Sequence, residues 1–193
     1  MLWIDAVGGF WVCLADAVTL GQAIPEADVD VPIFGDLSRR HACIRRDADG
    51  YVVEAQGRTR VDGQPVGDAA PLRHGSRIEL GQQVRLVFRR PHALSATARL
   101  DFVSHHHTRP SSDAVLLMAD ACILGPDSRS HVVCRDWPQE VVLYRHDDRL
   151  CCRTAGQLEI GGKTYENRGP VGWDSRVAGS GFSFKLEVIG GPV

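Results

Sequence analysis

The chain has 193 residues, of which 44% are hydrophobic and 24% charged, enough apolar content for one large or two small folded domains and too much for disorder as the main state. A formal net charge of -2 and a pI near 6.4 exclude a general attraction for nucleic acid or anionic membrane, so any anion site has to be local. No segment is long and apolar enough to span a bilayer, and Met1 to Ala17 has no basic leader and an early Asp5, so a cytoplasmic location is expected, with no membrane and no nucleic-acid partner.

In chain order, the first half reads as short strands separated by turns. The predicted strands are Leu2 to Ala6, Phe10 to Leu14, Ala17 to Leu20, Ala42 to Arg46, Tyr51 to Ala55, Thr59 to Val61, Arg77 to Leu80 and Val84 to Arg89. Asp49-Gly50, Asp62-Gly63 and His74-Gly75 are the turn signals between them. Pro91 ends the last strand and small residues follow. The second half repeats the pattern with Arg99 to Val103, Ala114 to Met118, Ala121 to Leu124, Val141 to Arg145, Leu150 to Arg153, Leu158 to Ile160 and Phe182 to Ile189. No stretch sustains a helical period.

The halves also echo each other residue by residue. Leu14-Ala-Asp-Ala-Val-Thr-Leu-Gly21 returns as Met118-Ala-Asp-Ala-Cys-Ile-Leu-Gly125, identical at five of eight positions, and Pro71 to Ile78 is echoed by Pro170 to Val177. The expected organisation is two tandem all-β sandwiches of short antiparallel strands, residues 1–91 and 99–193, joined by a linker at 92–98 and packed against each other.

The run Leu37-Ser-Arg-Arg-His-Ala-Cys-Ile44 resembles the Ser-x-x-His signature of forkhead-associated (FHA) domains. Val18-Thr-Leu-Gly21, Val61-Asp-Gly63 and Leu72 to Gly81 stand where that family has its Gly-Arg strand, its Val-Asn-Gly turn and its Leu-x-x-Gly-Asp-x-Ile-x-x-Gly stretch, so the resemblance covers most of residues 2–91. It implies a β-sandwich and a site for a phosphothreonine peptide. In that site a loop Ser and an Arg meet the phosphate through charge-assisted hydrogen bonds, an Asn grips the peptide backbone, and the His braces the loop from within.

By resemblance, the candidate phosphopeptide-binding residues are Ser38, Arg39, Arg40, Arg58 and Thr59, with His41 as the loop brace. Two expected ligands are missing. Gln22 stands in place of the Arg after Gly21, and Gly57 in place of the Asn. Losing a charged hydrogen bond to phosphate costs about 1.5–3 kcal/mol, or roughly one to two decades of affinity. The sequence therefore favours a module that binds a protein partner without phosphate, the alternative being a phosphoprotein reader in which nearby Arg residues replace the lost ligand. The second half departs further, with Trp137-Pro-Gln-Glu140 opposite Ser38-Arg-Arg-His41 and Gly125-Pro126 in place of Gly-Arg, and reads as a degenerate copy. Trp137 and Trp173 are either contact aromatics or core.

Other constellations point to no catalyst and no cofactor. Side chains in the extended run His105-His-His107 alternate between faces with no Cys or carboxylate at ligand spacing, so a solvated loop rather than a metal site is expected. No Gly-x-Ser-x-Gly elbow or glycine-rich phosphate loop is present. The six cysteines form no CxxC pair and are expected to be buried thiols.

Overall fold

The computed structural model describes residues 1–92, 94–147 and 149–189. In the first half the strands are β1 (Leu2–Ile4), β2 (Gly8–Cys13), β3 (Ala17–Gln22), β4 (Val31–Ile33), β5 (Ala42–Asp47), β6 (Gly50–Ala55), β7 (Thr59–Val61), β8 (Gln64–Pro65), β9 (Ala69–Leu72), β10 (Arg77–Leu80) and β11 (Val84–Arg89). The second half supplies β12 (Ala98–Phe102), β13 (Ala114–Leu117), β14 (Ala121–Gly125), β15 (Val132–Val133), β16 (Val141–His146), β17 (Arg149–Ile160), β18 (Lys163–Val171), β19 (Arg176–Gly179) and β20 (Phe182–Leu186). No α-helix occurs among the described residues, and none of their helical turns could cross a membrane.

Local chemistry explains these elements. In β11, Val84, Leu86 and Phe88 are buried and alternate with more exposed neighbours, the period-2 pattern of a half-buried strand. Asp47 Oδ1 accepts hydrogen bonds from Asp49 N and Gly50 N, closing the β5–β6 turn. Asp62 and Gly63 both have positive φ, 50° and 81°, as the tight β7–β8 hairpin requires.

The strands form two sandwiches. In the first, the sheet β4-β3-β5-β6-β9 faces the run β13-β12-β11-β10-β7-β8, and Leu20, Ile33, Ile44, Val53, Ile78, Phe88, Leu100 and Leu117 lie in its core. In the second, β15-β14-β16-β17 continues through the bent β17 into β19-β20-β1-β2, around a core that contains Leu2, Phe10, Leu116, Leu124, Leu143, Cys152, Phe184 and Leu186. Burying one such Leu, Ile or Phe side chain contributes about 1.5–3 kcal/mol, which is why these positions dominate the fold.

The cores do not follow the division at residues 91 and 99. The hairpin β1–β2 pairs with β20 and packs into the second sandwich, whereas β12–β13 pairs with β11 and completes the first. The halves have exchanged hairpins. The expected linker is correspondingly built into the structure: Thr97 is fully buried, its hydroxyl donates to Ala121 O at 2.7 Å and accepts from Ala119 N at 2.9 Å, and Ala98 already belongs to β12. Between the exchanged hairpins, β2 and β13 pair in parallel, joining both halves in one 15-stranded sheet.

The segments 150–153 and 158–160, expected as separate strands, form one strand with a register irregularity between Arg153 and Gln157. The closing strand expected to reach Ile189 ends at Leu186. Strands β4, β8, β9, β15, β18 and β19 were not expected from the sequence. They are two-residue strands, runs containing Pro, the four-residue Arg176–Gly179 with a single large apolar side chain, or, in Lys163–Val171, a polar run with little apolar alternation to reveal it. In the triple-His loop His105 and His107 are exposed, as expected of a solvated loop, but the middle histidine is not. His106 is 9% exposed and its Nδ1 lies 2.9 Å from Ser104 Oγ, while Thr108 forms a bridge to Ile33.

Candidate functional site

Three connections of the first sandwich meet at one end: the loop from β4 to β5 carrying Ser38 to His41, the turn from β6 to β7 carrying Gln56 to Arg58, and Gly81 at the β10–β11 turn. His41, 3% exposed, lies between them. Its Nδ1 accepts from Ser38 N at 3.1 Å, and its Nε2 lies 3.0 Å from Arg58 O. These partners require the tautomer with the proton on Nε2, donated to Arg58 O. Gly81 N also donates to Arg58 O, at 2.9 Å, so its 3.0 Å approach to Nε2 is a contact between two donors sharing one acceptor. The backbone of the same residue completes the lock: His41 N donates to Leu20 O at 2.9 Å, and His41 O accepts from Gln56 N at 2.9 Å and Gly57 N at 2.8 Å.

Two glycines are set by close approach. A Cβ on Gly57 would lie 2.7 Å from the His41 ring and 3.0 Å from Ser38 Oγ, so the position expected for a peptide-gripping Asn has no room for a side chain. A Cβ on Gly21 would overlap the Arg39 carbonyl. Beside it, Gln22 N donates to Ser38 O at 3.1 Å and Arg39 O at 3.2 Å, so Gln22 meets this loop through its backbone.

The candidate residues divide into two groups. Ser38, Arg39 and Arg58 are exposed, and among the described residues their side chains make no hydrogen bond or ion pair. Arg40 turns away, with hydrogen bonds to Asp28 O at 3.2 Å and Thr19 Oγ1 at 3.3 Å. Thr59 is 3% exposed and its hydroxyl donates to Gly57 O at 3.0 Å, so it supports the turn from inside. The neighbouring chain is acidic: residues 23–37 include Glu26, Asp28, Asp30 and Asp36, all exposed, and no Lys or Arg. An arriving phosphate would meet Arg39 and Arg58 against that background of negative charge.

Strand register aligns the second half with this site. Leu20 pairs with Ala42 and Leu124 with Val141, which sets Glu140 in the position of His41 and Trp137 in that of Ser38. Trp137 is 6% exposed and packs its ring 5.3 Å from Phe182, a core residue and not a contact aromatic. Where the first half turns at Gln56 to Arg58, β17 runs on as a strand. Among the described residues no equivalent loop cluster forms there.

Sequence reasoning missed a hollow of about 810 Å³, which lies at the seam between the halves and away from the loop cluster. It is lined by Trp11, Val29, Pro32, Arg109, Trp173 and Val188, residues brought together from both halves by the exchanged hairpins. Exposed Trp173, in a predicted loop, was its only sequence signal. All six cysteines are free, five of them buried and Cys151 partly so. Burial pushes the Cys13, Cys122, Cys134 and Cys152 thiols up to about 12, which leaves them as inert core atoms. Among the described residues no cluster of three or more His, Cys, Asp or Glu is arranged to hold a metal ion.

Residues 18–81 match the family model of the FHA domain, from the start of the β3 core through the loop cluster to the β10–β11 turn. That stretch is about a third of the chain, and domains described by that family model are modules of protein–protein interaction, typically with phosphopeptides. No curated protein matches the chain.

Proposed function

We propose that the chain is a cytoplasmic, non-enzymatic interaction scaffold that binds a protein partner without requiring a phosphothreonine, the second half serving as a degenerate FHA-like copy. The observation that carries this reading is Gly57: its Cβ space is taken by His41 and Ser38, so no side chain from that position reaches a peptide, and Gln22 stands where the family has its Arg. With both ligands gone, about 1.5–3 kcal/mol of charged hydrogen bonding to the phosphate is lost and the acidic loop opposes what remains.

One observation favours the second reading, phosphothreonine binding by the first sandwich. Ser38, Arg39 and Arg58 are exposed around the loop cluster with no internal partner among the described residues, and Arg suits bidentate recognition of phosphate. Titration of the protein with a degenerate phosphothreonine peptide pool and its unphosphorylated twin, by calorimetry or fluorescence polarisation, separates the two. Equal or absent binding of the pools is expected. Preferential binding of the phosphorylated pool, abolished by Ser38→Ala and Arg39→Ala, would overturn the scaffold reading.

A further inference from the structure

The outer faces of corresponding layers carry different chemistry in the same row. In the first half the row crosses the sheet as Thr19, Cys43, Glu54 and Ala69; in the second it runs Ile123, Val142, Arg153 and Arg168. The first row is neutralised internally, since Glu54 is ion-paired to Arg45 at 2.7 Å and Arg40 reaches Thr19. The second is not. Arg153 and Arg168 sit directly opposite each other on β17 and β18, both exposed, and neither guanidinium makes a hydrogen bond or ion pair among the described residues. Like charges directly opposite in a sheet cost stability, and no carboxylate pairs with either guanidinium among the described residues to offset the repulsion.

The same row lies in a trough. Two adjoining hollows of about 250 and 390 Å³ share Glu140, Val142 and Arg153; one extends to Leu94 and Ala96, the other to Asn167 and Arg168. The Glu140 side chain leans over Gly125, where a Cβ would meet its Cγ at 3.0 Å, on the far side of the row from Arg168. Exposed Leu94 and half-buried Ile123 and Val142 give one end an apolar strip, flanked by exposed Asp120 away from the arginines' end, and the arginines make the other end basic. Four strands at about 4.8 Å spacing span about 14 Å, the length of roughly four extended residues.

We propose that this trough binds an extended segment of a protein partner, with apolar side chains over Ile123 and Val142 and an acidic side chain held between the Arg153 and Arg168 guanidiniums. The proposal rests on the reading of the chain as an interaction protein and assigns one partner surface to the second sandwich. A phage-displayed library of random dodecapeptides, panned on the full chain, tests it. Enriched clones should combine apolar residues with a neighbouring Asp or Glu. Resynthesised with fluorescein, they should bind about tenfold or more weakly to Arg153→Glu and to Arg168→Glu, less so to Arg153→Gln, and more weakly as salt rises. Clones lacking acidic residues, or clones bound equally by the Arg168→Glu variant, would overturn the trough while leaving the interaction reading intact. Enrichment of nothing at all would count against both.

Discussion

His41 shows how one side chain can hold a loop cluster: a single imidazole, 3% exposed, joins the Ser38 and Arg58 segments while its backbone joins Leu20 to the β6–β7 turn. The Ser-x-x-His spacing made this brace legible in sequence. What it left open was direction, because Arg40 and Thr59 have suitable donors but spend them on Asp28 O, Thr19 Oγ1 and Gly57 O. Gly57 was legible as a missing ligand, but not as a position occupied from within by His41, since that contact joins two loops distant in sequence. A second histidine gives a test at this scale. His131 is fully buried, its Nδ1 accepts from Ile123 N at 2.9 Å, and burial, reinforced by His92, lowers its pKa from 6.5 to about 4. With the folded value depressed, the unfolded chain binds the extra proton, so the stability contribution is complete above pH 6.5 and is lost as pH falls from 6.5 towards 4. Urea unfolding at pH 7 and pH 5 should show the wild type losing about 1–2 kcal/mol more than His131→Gln, whose amide oxygen keeps the acceptor without titrating.

At the scale of elements, β2 and β13 explain why two runs read as unbroken apolar stretches instead of alternating ones. Each lies between the sandwiches and serves both: in β13, Ala114 and Leu116 face the second core while Val115 and Leu117 face the first. A strand covered on both faces loses its period-2 signature, which is the pattern of a buried parallel pair. Leu116→Ala and Leu117→Ala should therefore each cost about 2–5 kcal/mol but in different places. Amide exchange should show Leu116→Ala loosening β14, β16 and β20, and Leu117→Ala loosening β3, β5 and β11. The opposite assignment, or equal loosening of both cores, would show that the sandwiches are not divided as described. Most strand positions of three residues or more were legible because their alternation is local. Their partners were not, since β1 and β20 pair Leu2 with Leu186 and Ile4 with Phe184, positions 184 and 180 residues apart, and nothing local encodes it.

At the scale of the molecule, the hairpin exchange decides what can be cut from what. A fragment of residues 1–91 contains a hairpin that belongs elsewhere and lacks the strands β12 and β13 that complete its own core with Leu100, Val115 and Leu117. It should be unfolded or aggregated by circular dichroism and size exclusion. A fragment in which residues 98–118 precede residues 17–91 through a flexible linker should fold as a monomer with cooperative urea unfolding. If residues 1–91 alone unfold cooperatively at comparable stability, the exchanged hairpin is dispensable to the first sandwich.

The exchange also orders events during synthesis. The first sandwich has all its strands once the ribosome has released β13, but β1 cannot find β20 until some seventy residues later, at Phe182–Leu186. During that interval the apolar side chains of Leu2, Ile4 and Phe10 have no final cover, attached to a neighbour that is otherwise complete. Slowing translation over the second half should therefore lengthen the exposure of a sticky leading hairpin and raise the nascent chain's dependence on chaperones that bind short apolar segments.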